Sequence, residues 1–291
     1  KVFNKLGINN ITAVDLNEDR LLQIKQEAEI ARAYIDIYDA LKEQFDFAII
    51  STPPHIHTDL AIKCADNGIN LFIEKPLTYL NNDLDILFEK IKQNNIKAYV
   101  AYCYRYIPSV NKLKKIINNK EIGKILSYRL IISSYLPDWH PWEDYRSYYM
   151  AKKEQGGGAI YDESHGIDLV RWLFDDIKTV YAEVGNISEL EISADDVSIL
   201  ITNHYNGIKG SLHFDLLGRT PRIGMEIIGS GGTILWDRIN PSIKIYKAET
   251  KKWDEEIFNT DDTIMSYDLQ AKAFLNYIRN DIEMKNTLED A

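Results

Sequence analysis

Cysteine is scarce in this sequence, occurring only as Cys64 and Cys103. With no paired spacing, the two argue against a disulfide framework or a cysteine-based metal centre and suit a reducing cytoplasm. No apolar run approaches the ~20 residues that span a bilayer, and the N-terminal residues lack the basic-then-apolar order of a secretion signal. Positive charge is in deficit: 34 Lys and Arg against 44 Asp and Glu give a formal net charge of −10. Nucleic acid and anionic membrane surfaces are therefore repelled on average. Internal repeats and low-complexity linkers are absent too. What remains is 291 residues, 45% of them apolar, enough for two domains with their own cores. The expectation is a cytoplasmic protein acting on a small molecule.

The first part alternates short β-rich runs with amphipathic helical patterns, which predicts a parallel sheet covered by helices. Strands are expected at Ile11 to Asp15, Phe45 to Ser51, Ile69 to Ile73 and Lys97 to Tyr102. Asn17 is placed to cap a helix whose apolar stripe is Leu21, Leu22, Ile24 and Ala28. Further helices carry Ile56 to Ala65 and Leu84 to Ile91. After residue 103 the pattern changes. A helix from Pro108 to Asn118 and a strand near Ile125 to Ser133 lead to an aromatic, irregular stretch, followed by a helix from Ala159 to Phe174. Alternating segments at 179–184, 197–204, 209–216, 222–228, 233–236 and 242–246 then read as one sheet. Its Asn206-Gly207 and Gly229 to Gly232 connections are antiparallel. A last helix spans Met265 to Arg279. The fold class is α/β: a Rossmann-type domain over 1–103, then an α/β domain with an open, largely antiparallel mixed sheet over 104–291, expected to bind substrate and mediate oligomerisation.

A dinucleotide-binding unit normally opens with a strand and a Gly-rich turn, where a helix N-terminus holds the pyrophosphate. Neither precedes Asp15. An acid at such a strand end binds the ribose hydroxyls, usually ~20 residues beyond the glycines. Lys1 to Leu6 reads as the tail of the helix after that turn. The expectation is a sheet lacking its first, central strand, with a vacant position there, and a truncation at Glu289-Asp290-Ala291.

Ser51-Thr52-Pro53-Pro54-His55-Ile56-His57 follows a strand at the carboxyl edge, where doubly wound sheets bind ligands. It is either a cofactor loop or a structural turn. His55 and His57 have no acidic or Cys partners at ligand spacing, so they read as capping or surface histidines and no metal is expected. Glu74-Lys75-Pro76 places a lysine at the same edge, where a partly desolvated cleft can lower its pKa enough for proton exchange; a solvated strand-end charge is the alternative. Gly156-Gly157-Gly158 precedes Asp162, His165 and Asp168, which at offsets of three share a helix face. They form either an orienter and general base or an ordinary interface helix. Trp139, His140, Trp142, Tyr145, Arg146, Tyr148 and Tyr149 concentrate rings on which a sugar can stack, or which can simply pack.

Together, the 51–57 loop, Glu74-Lys75-Pro76, Tyr104-Arg105-Tyr106-Ile107-Pro108 and the Gly156 to Asp168 run resemble, in this order, the Gfo/Idh/MocA family of glucose–fructose oxidoreductases and inositol dehydrogenases. The resemblance implies a Rossmann domain binding a nicotinamide cofactor through Asp15, Ser51, Thr52, Pro53, His57, Glu74, Lys75 and Arg105. It also implies Lys75 as acid/base, His165 on the substrate hydroxyl, and a homodimer or homotetramer built on the open sheet. One departure stands out: the family places its catalytic Asp four residues before the His, whereas Asp162 is three before His165. Either the helix start is shifted with the carboxylate still in the site, or Lys75 and His165 act alone.

The reading is a hydride transfer between a secondary alcohol of a sugar, polyol or sugar nucleotide and NAD. Lys75, His165 and Asp162 are the candidate catalytic residues, and Trp139, Trp142, Arg146 and Asp168 the candidate substrate contacts. Asp15 repels a 2′-phosphate and no Arg follows it, which favours NAD over NADP. The alternatives are a net redox-neutral step on a recycling cofactor and a non-catalytic protein that senses a nucleotide sugar or NADH.

Overall fold

The computed structural model describes residues 1–80 and 83–291. Helix α1 (Val2–Lys5) leads into β1 (Thr12–Val14), which pairs in parallel with β2 (Arg32–Tyr34) across α2 (Glu18–Glu27). Asn17 caps α2 as its sequence position predicts, its side chain accepting from the backbone N–H of Asp19 and Arg20. After α3 (Ile37–Ala40), the strands β3 (Phe47–Ile50), β4 (Asn70–Ile73) and β5 (Ala98–Val100) form a second parallel sheet, connected by α4 (His57–Asp66) and α5 (Leu84–Gln93). Ile50, Leu71, Ile73, Ala61, Ala65 and Leu87 are buried between these strands and the two helices. Among the described residues, one edge of β1 and one of β3 have no partner strand, and Val14 and Ile49 are 39% and 44% exposed. A doubly wound order puts a central strand between two such edges.

The chain continues through α6 (Pro108–Asn118), β6 (Ile125–Tyr135), α7 (Ala159–Asp162), α8 (Ser164–Phe174), β7 (Ile177–Gly185), β8 (Val197–His204), β9 (Lys209–Asp215), β10 (Leu217–Gly229), β11 (Gly232–Asp237), β12 (Ser242–Lys247) and β13 (Lys252–Ile257). The eight strands form one sheet in the order β13-β12-β11-β10-β6-β9-β8-β7, with β6 and β9 parallel and the other neighbours antiparallel. One face packs under α6 and α8, burying Leu113, Val170, Tyr128, Phe214 and Ile227. Gly166 permits the close approach, because a Cβ there would stand 2.6 Å from the Phe214 ring. On the other face Tyr181, Ile199 and Ile201 are exposed.

Two strands were not visible in the sequence pattern. β2 is three residues long, and β13 is exposed at every position, so neither shows a buried alternation. β13 is held as an edge by its pairing to β12 and by ion pairs Lys244–Glu255 and Lys247–Asp254. The helix expected over 159–174 is interrupted: Glu163 takes φ −91°, ψ 21° between α7 and α8. In the expected α2 stripe, Leu22 is exposed.

The final helix, α9 (Asp262–Asn280), returns to the parallel sheet and covers the face opposite α4 and α5. Phe274, fully buried, lies edge-on to Phe47 at 5.5 Å and to Phe72 at 5.3 Å. Phe274→Ala removes the centre of this aromatic group, with an expected loss of roughly 3–5 kcal/mol in stability. Urea unfolding followed by tryptophan fluorescence measures it.

Candidate active site

The carboxyl ends of β1, β3 and β4 supply the first set of side chains. Asp15 directly follows β1 and accepts the Asn17 N–H on Oδ1 at 2.8 Å, while Oδ2 makes no hydrogen bond among the described residues. Past β3, Ser51 is exposed, Pro53 is half-buried, and the Thr52 hydroxyl is enclosed with no partner. His57, buried at the start of α4, has Nε2 2.6 Å from the Thr52 carbonyl and Nδ1 2.9 Å from the Pro76 carbonyl. Burial is the largest influence and lowers its pKa, while the two carbonyls facing the ring nitrogens favour the protonated ring. The sequence reading gave His57 to the cofactor; its ring instead braces the loop after β3 against the turn after β4. Gly156, at φ 80°, comes so close to this loop that a Cβ would meet Pro54 at 2.9 Å.

Lys75 crosses from the turn after β4 to the end of α7. Its Nζ donates to the Asp162 carbonyl at 2.5 Å and lies 3.2 Å from Asp162 Oδ1, which also accepts the Tyr149 hydroxyl at 3.0 Å. Burial alone disfavours the ammonium, but Asp162 foremost, then Tyr149 and Glu163, outweigh it and hold the Lys75 pKa above the ordinary lysine value. The expected depression is thus reversed: an acidic partner at hydrogen-bond distance favours the charged form more than desolvation opposes it. The shifted Asp162 spacing is also resolved. The break at Glu163 ends α7 at Asp162 and leaves its carboxylate on Lys75. Glu74, next to Lys75, is held above the usual carboxylate range by burial.

His165, in the first turn of α8, stacks on Tyr104 at 4.3 Å with 5° between the planes, and its Nδ1 is enclosed without a partner. Burial first, then Lys75 and Arg238, push its pKa well down, so the imidazole is neutral. Arg238, just after β11, stands 4.5 Å from the centre of the Tyr104 ring and donates to the Tyr104 hydroxyl at 2.6 Å. Glu163 is 8% exposed and its pKa is pushed up to about 8 by burial and by Asp162. Sequence reasoning placed Tyr149 only among the rings that could stack on a sugar, and assigned no role to Glu163 or Arg238. An acidic pair in an apolar helix start was a signal for Glu163; a single Arg after a strand gives none.

Other expected site residues do not join this cluster. Arg105 and Asp168 are buried against each other, with Nε 3.1 and 3.0 Å from the two carboxylate oxygens and Nη2 2.6 Å from Oδ1, and Arg105 Nη1 donates to the Lys285 carbonyl at 2.5 Å. Their donors and acceptors are thus consumed internally, against the expected nicotinamide role for Arg105 and substrate role for Asp168. Asp162, His165 and Asp168 consequently do not act from one face. Trp139 donates to the Ser134 hydroxyl at 2.8 Å, Trp142 is 73% exposed, and Arg146 pairs with Asp144 and Glu191 at the surface. Of the aromatic stretch, Tyr149 reaches Asp162.

The edge fits part of a dinucleotide. Asp15 Oδ2 has no protein partner among the described residues, and Thr52, Glu74 and Lys75 follow the neighbouring strands at the same carboxyl edge. Among the described residues no Gly-rich turn follows a strand of the parallel sheets, and no three His, Cys, Asp or Glu side chains group as metal ligands. No described helix is long and apolar enough to cross a membrane.

Parallel strands ending in an acid at one position and a lysine–carboxylate pair at another define a dinucleotide-binding α/β protein. Residues 4–102 match the oxidoreductase family with an NAD-binding Rossmann fold, and residues 110–235 match the GFO/IDH/MocA C-terminal domain. The chain belongs to the Gfo/Idh/MocA oxidoreductase family. It is 30% identical over 214 residues to a levoglucosan dehydrogenase of Pseudarthrobacter phenanthrenivorans, covering 65% of this chain and 54% of that protein. It is 25% identical over 244 residues to a myo-inositol 2-dehydrogenase of Thermotoga maritima, covering 81% and 70%. The match thus spans about half the length of the first relative. Among solved structures, a levoglucosan dehydrogenase complexed with NADH and levoglucosan superposes with a TM-score of 0.83 over 97% of this chain and 84% of that one, at 21% identity.

Removing one member of the Arg105–Asp168 pair leaves a buried charge alone. Asp168→Ala is expected to cost roughly 3–5 kcal/mol, whereas Arg105→Leu with Asp168→Leu recovers much of it. Urea midpoints of the three proteins check this.

Proposed function

We propose that this protein is an NAD-dependent dehydrogenase acting on a secondary alcohol of a sugar, polyol or sugar nucleotide. The observation that carries the reading is the meeting of Lys75, Asp162 and His165 at the carboxyl edge of the parallel sheet. Relatives named for an anhydro sugar and a cyclitol support it. Asp15 would hold the adenosine ribose, with Thr52, Glu74 and Lys75 toward the nicotinamide, which when bound exchanges a hydride with the carbinol carbon.

The chain's own residues then have separable tasks. The Lys75 ammonium hydrogen-bonds the carbinol oxygen and stabilises negative charge developing on it. Asp162 and Tyr149 hold that ammonium in place. Neutral His165, braced flat on Tyr104, is the residue for the substrate hydroxyl, its Nδ1 being enclosed and without a protein partner until a ligand reaches it. The division of labour follows a boundary near residue 103, with α9 returning to support the nucleotide side. The open sheet face with Tyr181, Ile199 and Ile201 is the surface for a second copy of the chain, and free Cys64 and Cys103 suit the cytoplasm.

The test is NADH formation by the full-length protein against a panel of sugars, polyols and nucleotide sugars. Lys75→Ala is expected to lower kcat by about 10²–10⁴-fold while NADH still binds, as read by its fluorescence. Binding without turnover on any panel member would refute the dehydrogenase reading and leave a sensor. Asp15→Ala is expected to erode the preference for NAD over NADP by about tenfold, ~1.4 kcal/mol, measured as the ratio of the two Kd values.

A further inference from the structure

Glu163 occupies the break between α7 and α8, and its backbone is fully used there: its N–H donates to the Ala159 carbonyl at 3.1 Å and its carbonyl accepts the Gly166 N–H at 2.8 Å. Its carboxyl is not. The residue is 8% exposed, yet the side chain makes no hydrogen bond and no ion pair among the described residues. Neither oxygen is among the sealed, unpartnered atoms, so both keep some accessible surface. Among the described residues, Glu74 accepts only the adjacent Lys75 N–H, at 3.4 Å, and three other acids at this end of the molecule are each partnered. Asp162 accepts from Lys75 and Tyr149, Asp168 from Arg105, and Asp215 from the Ser133 hydroxyl and the N–H groups of Leu217 and Gly218. A buried carboxyl without a partner costs stability that an apolar side chain would not, and proteins keep such groups mainly where they do chemistry.

The groups around it come from every side. Asp162 precedes it and His165 follows it; Lys75 acts on it from the turn after β4, Arg238 from the end of β11, and Asp215 from the end of β9. Tyr104, the ring on which His165 stacks, also feels its charge. Lys75 and His165 each have a fixed protonation state at neutral pH, one charged and one neutral. Neither exchanges a proton readily in that range.

Resting on the dehydrogenase reading, we infer that Glu163 is a further proton-transfer residue of this site, carrying the hydroxyl proton between bound sugar and solvent beside Lys75 and His165. In the oxidative direction the carbinol C–H bond breaks with its electron pair going to the oxidised nicotinamide. The O–H bond breaks with its proton going to the Glu163 carboxylate, the carbonyl forms, and the carboxylic acid then releases the proton to water. Reduction runs the same transfers in reverse and starts from the carboxylic acid. Oxidation therefore needs the ionised form and gains rate as pH rises through the Glu163 pKa, while reduction loses rate over the same interval.

Two measurements on the full-length protein test this. The first is carbon NMR of glutamate labelled at Cδ, compared with Glu163→Gln. One resonance is expected to titrate within about one unit of pH 8 and to be missing from the variant. If every glutamate titrates below pH 6, the inference is overturned whatever the protein catalyses. The second is NADH formation against pH, using the panel member that wild type turns over. Wild type is expected to gain rate through the NMR midpoint, Glu163→Gln to lose about 100-fold in kcat with a flat profile and unchanged KM, and Glu163→Asp to regain a pH-dependent rate. A Glu163→Gln enzyme with the wild-type rate and profile overturns the inference while leaving the dehydrogenase reading standing. Wild type inactive on the whole panel refutes that reading instead, and the role inferred for Glu163 falls with it.

Discussion

The ion pair between Lys75 and Asp162 joins the two parts of the molecule at the point where their chemistry meets. Lys75 comes from the end of a parallel strand, and Asp162 from the last turn of a four-residue helix beside the large sheet. Neither side chain is placed without the other. The contact is 15% and 8% exposed at its two ends, so the attraction is only weakly screened, and a removed partner would leave a charge facing little water. Tyr149 fixes the second demand on Asp162, and the non-helical Glu163 sets the angle at which the carboxylate leaves the backbone. The brace formed by His57 performs the same service one turn away, holding the loop after β3 against the peptide that carries Lys75.

Charge at this edge is organised by contrast. Arg105 and Asp168 neutralise each other within the protein and present little to a ligand. Lys75, Arg238 and Asp162 carry charge next to a carboxyl and an imidazole that burial holds neutral. Such an arrangement lets one group stabilise an oxyanion while another moves a proton, since the environments separate their pKa values.

Much of this could be read from the sequence where a local signal existed. The helix Pro108–Asn118 and the strand Val197–His204 were visible because one face of each is buried and the apolar spacing records it. β13 was not, since an edge strand exposed on both faces has nothing to record. The 51–57 loop and Glu74-Lys75 were legible from their place after strands. The pairing of Arg105 with Asp168 was not: both carry polar groups a site could use, and a partner 63 residues away consumes them. Arg238 joined the site through the sheet's topology alone. The spacing from Asp162 to His165 reads as a departure because the family places its Asp four residues before the His; the break at Glu163, which no local signal marks, leaves the Asp162 carboxylate on Lys75 all the same.

The return of α9 gives the molecule an architecture unlike beads on a string. The parallel sheet takes one of its covering layers from residues near the end of the chain, so two connections pass between the parts: one near residue 103, the other leading into α9. Any movement of one part against the other must be accommodated at both connections at once. A fragment cut after Cys103 would expose Phe47, Phe72 and Tyr99 to water, and would bring to solution a sheet with a bare aromatic side rather than an independent nucleotide-binding module.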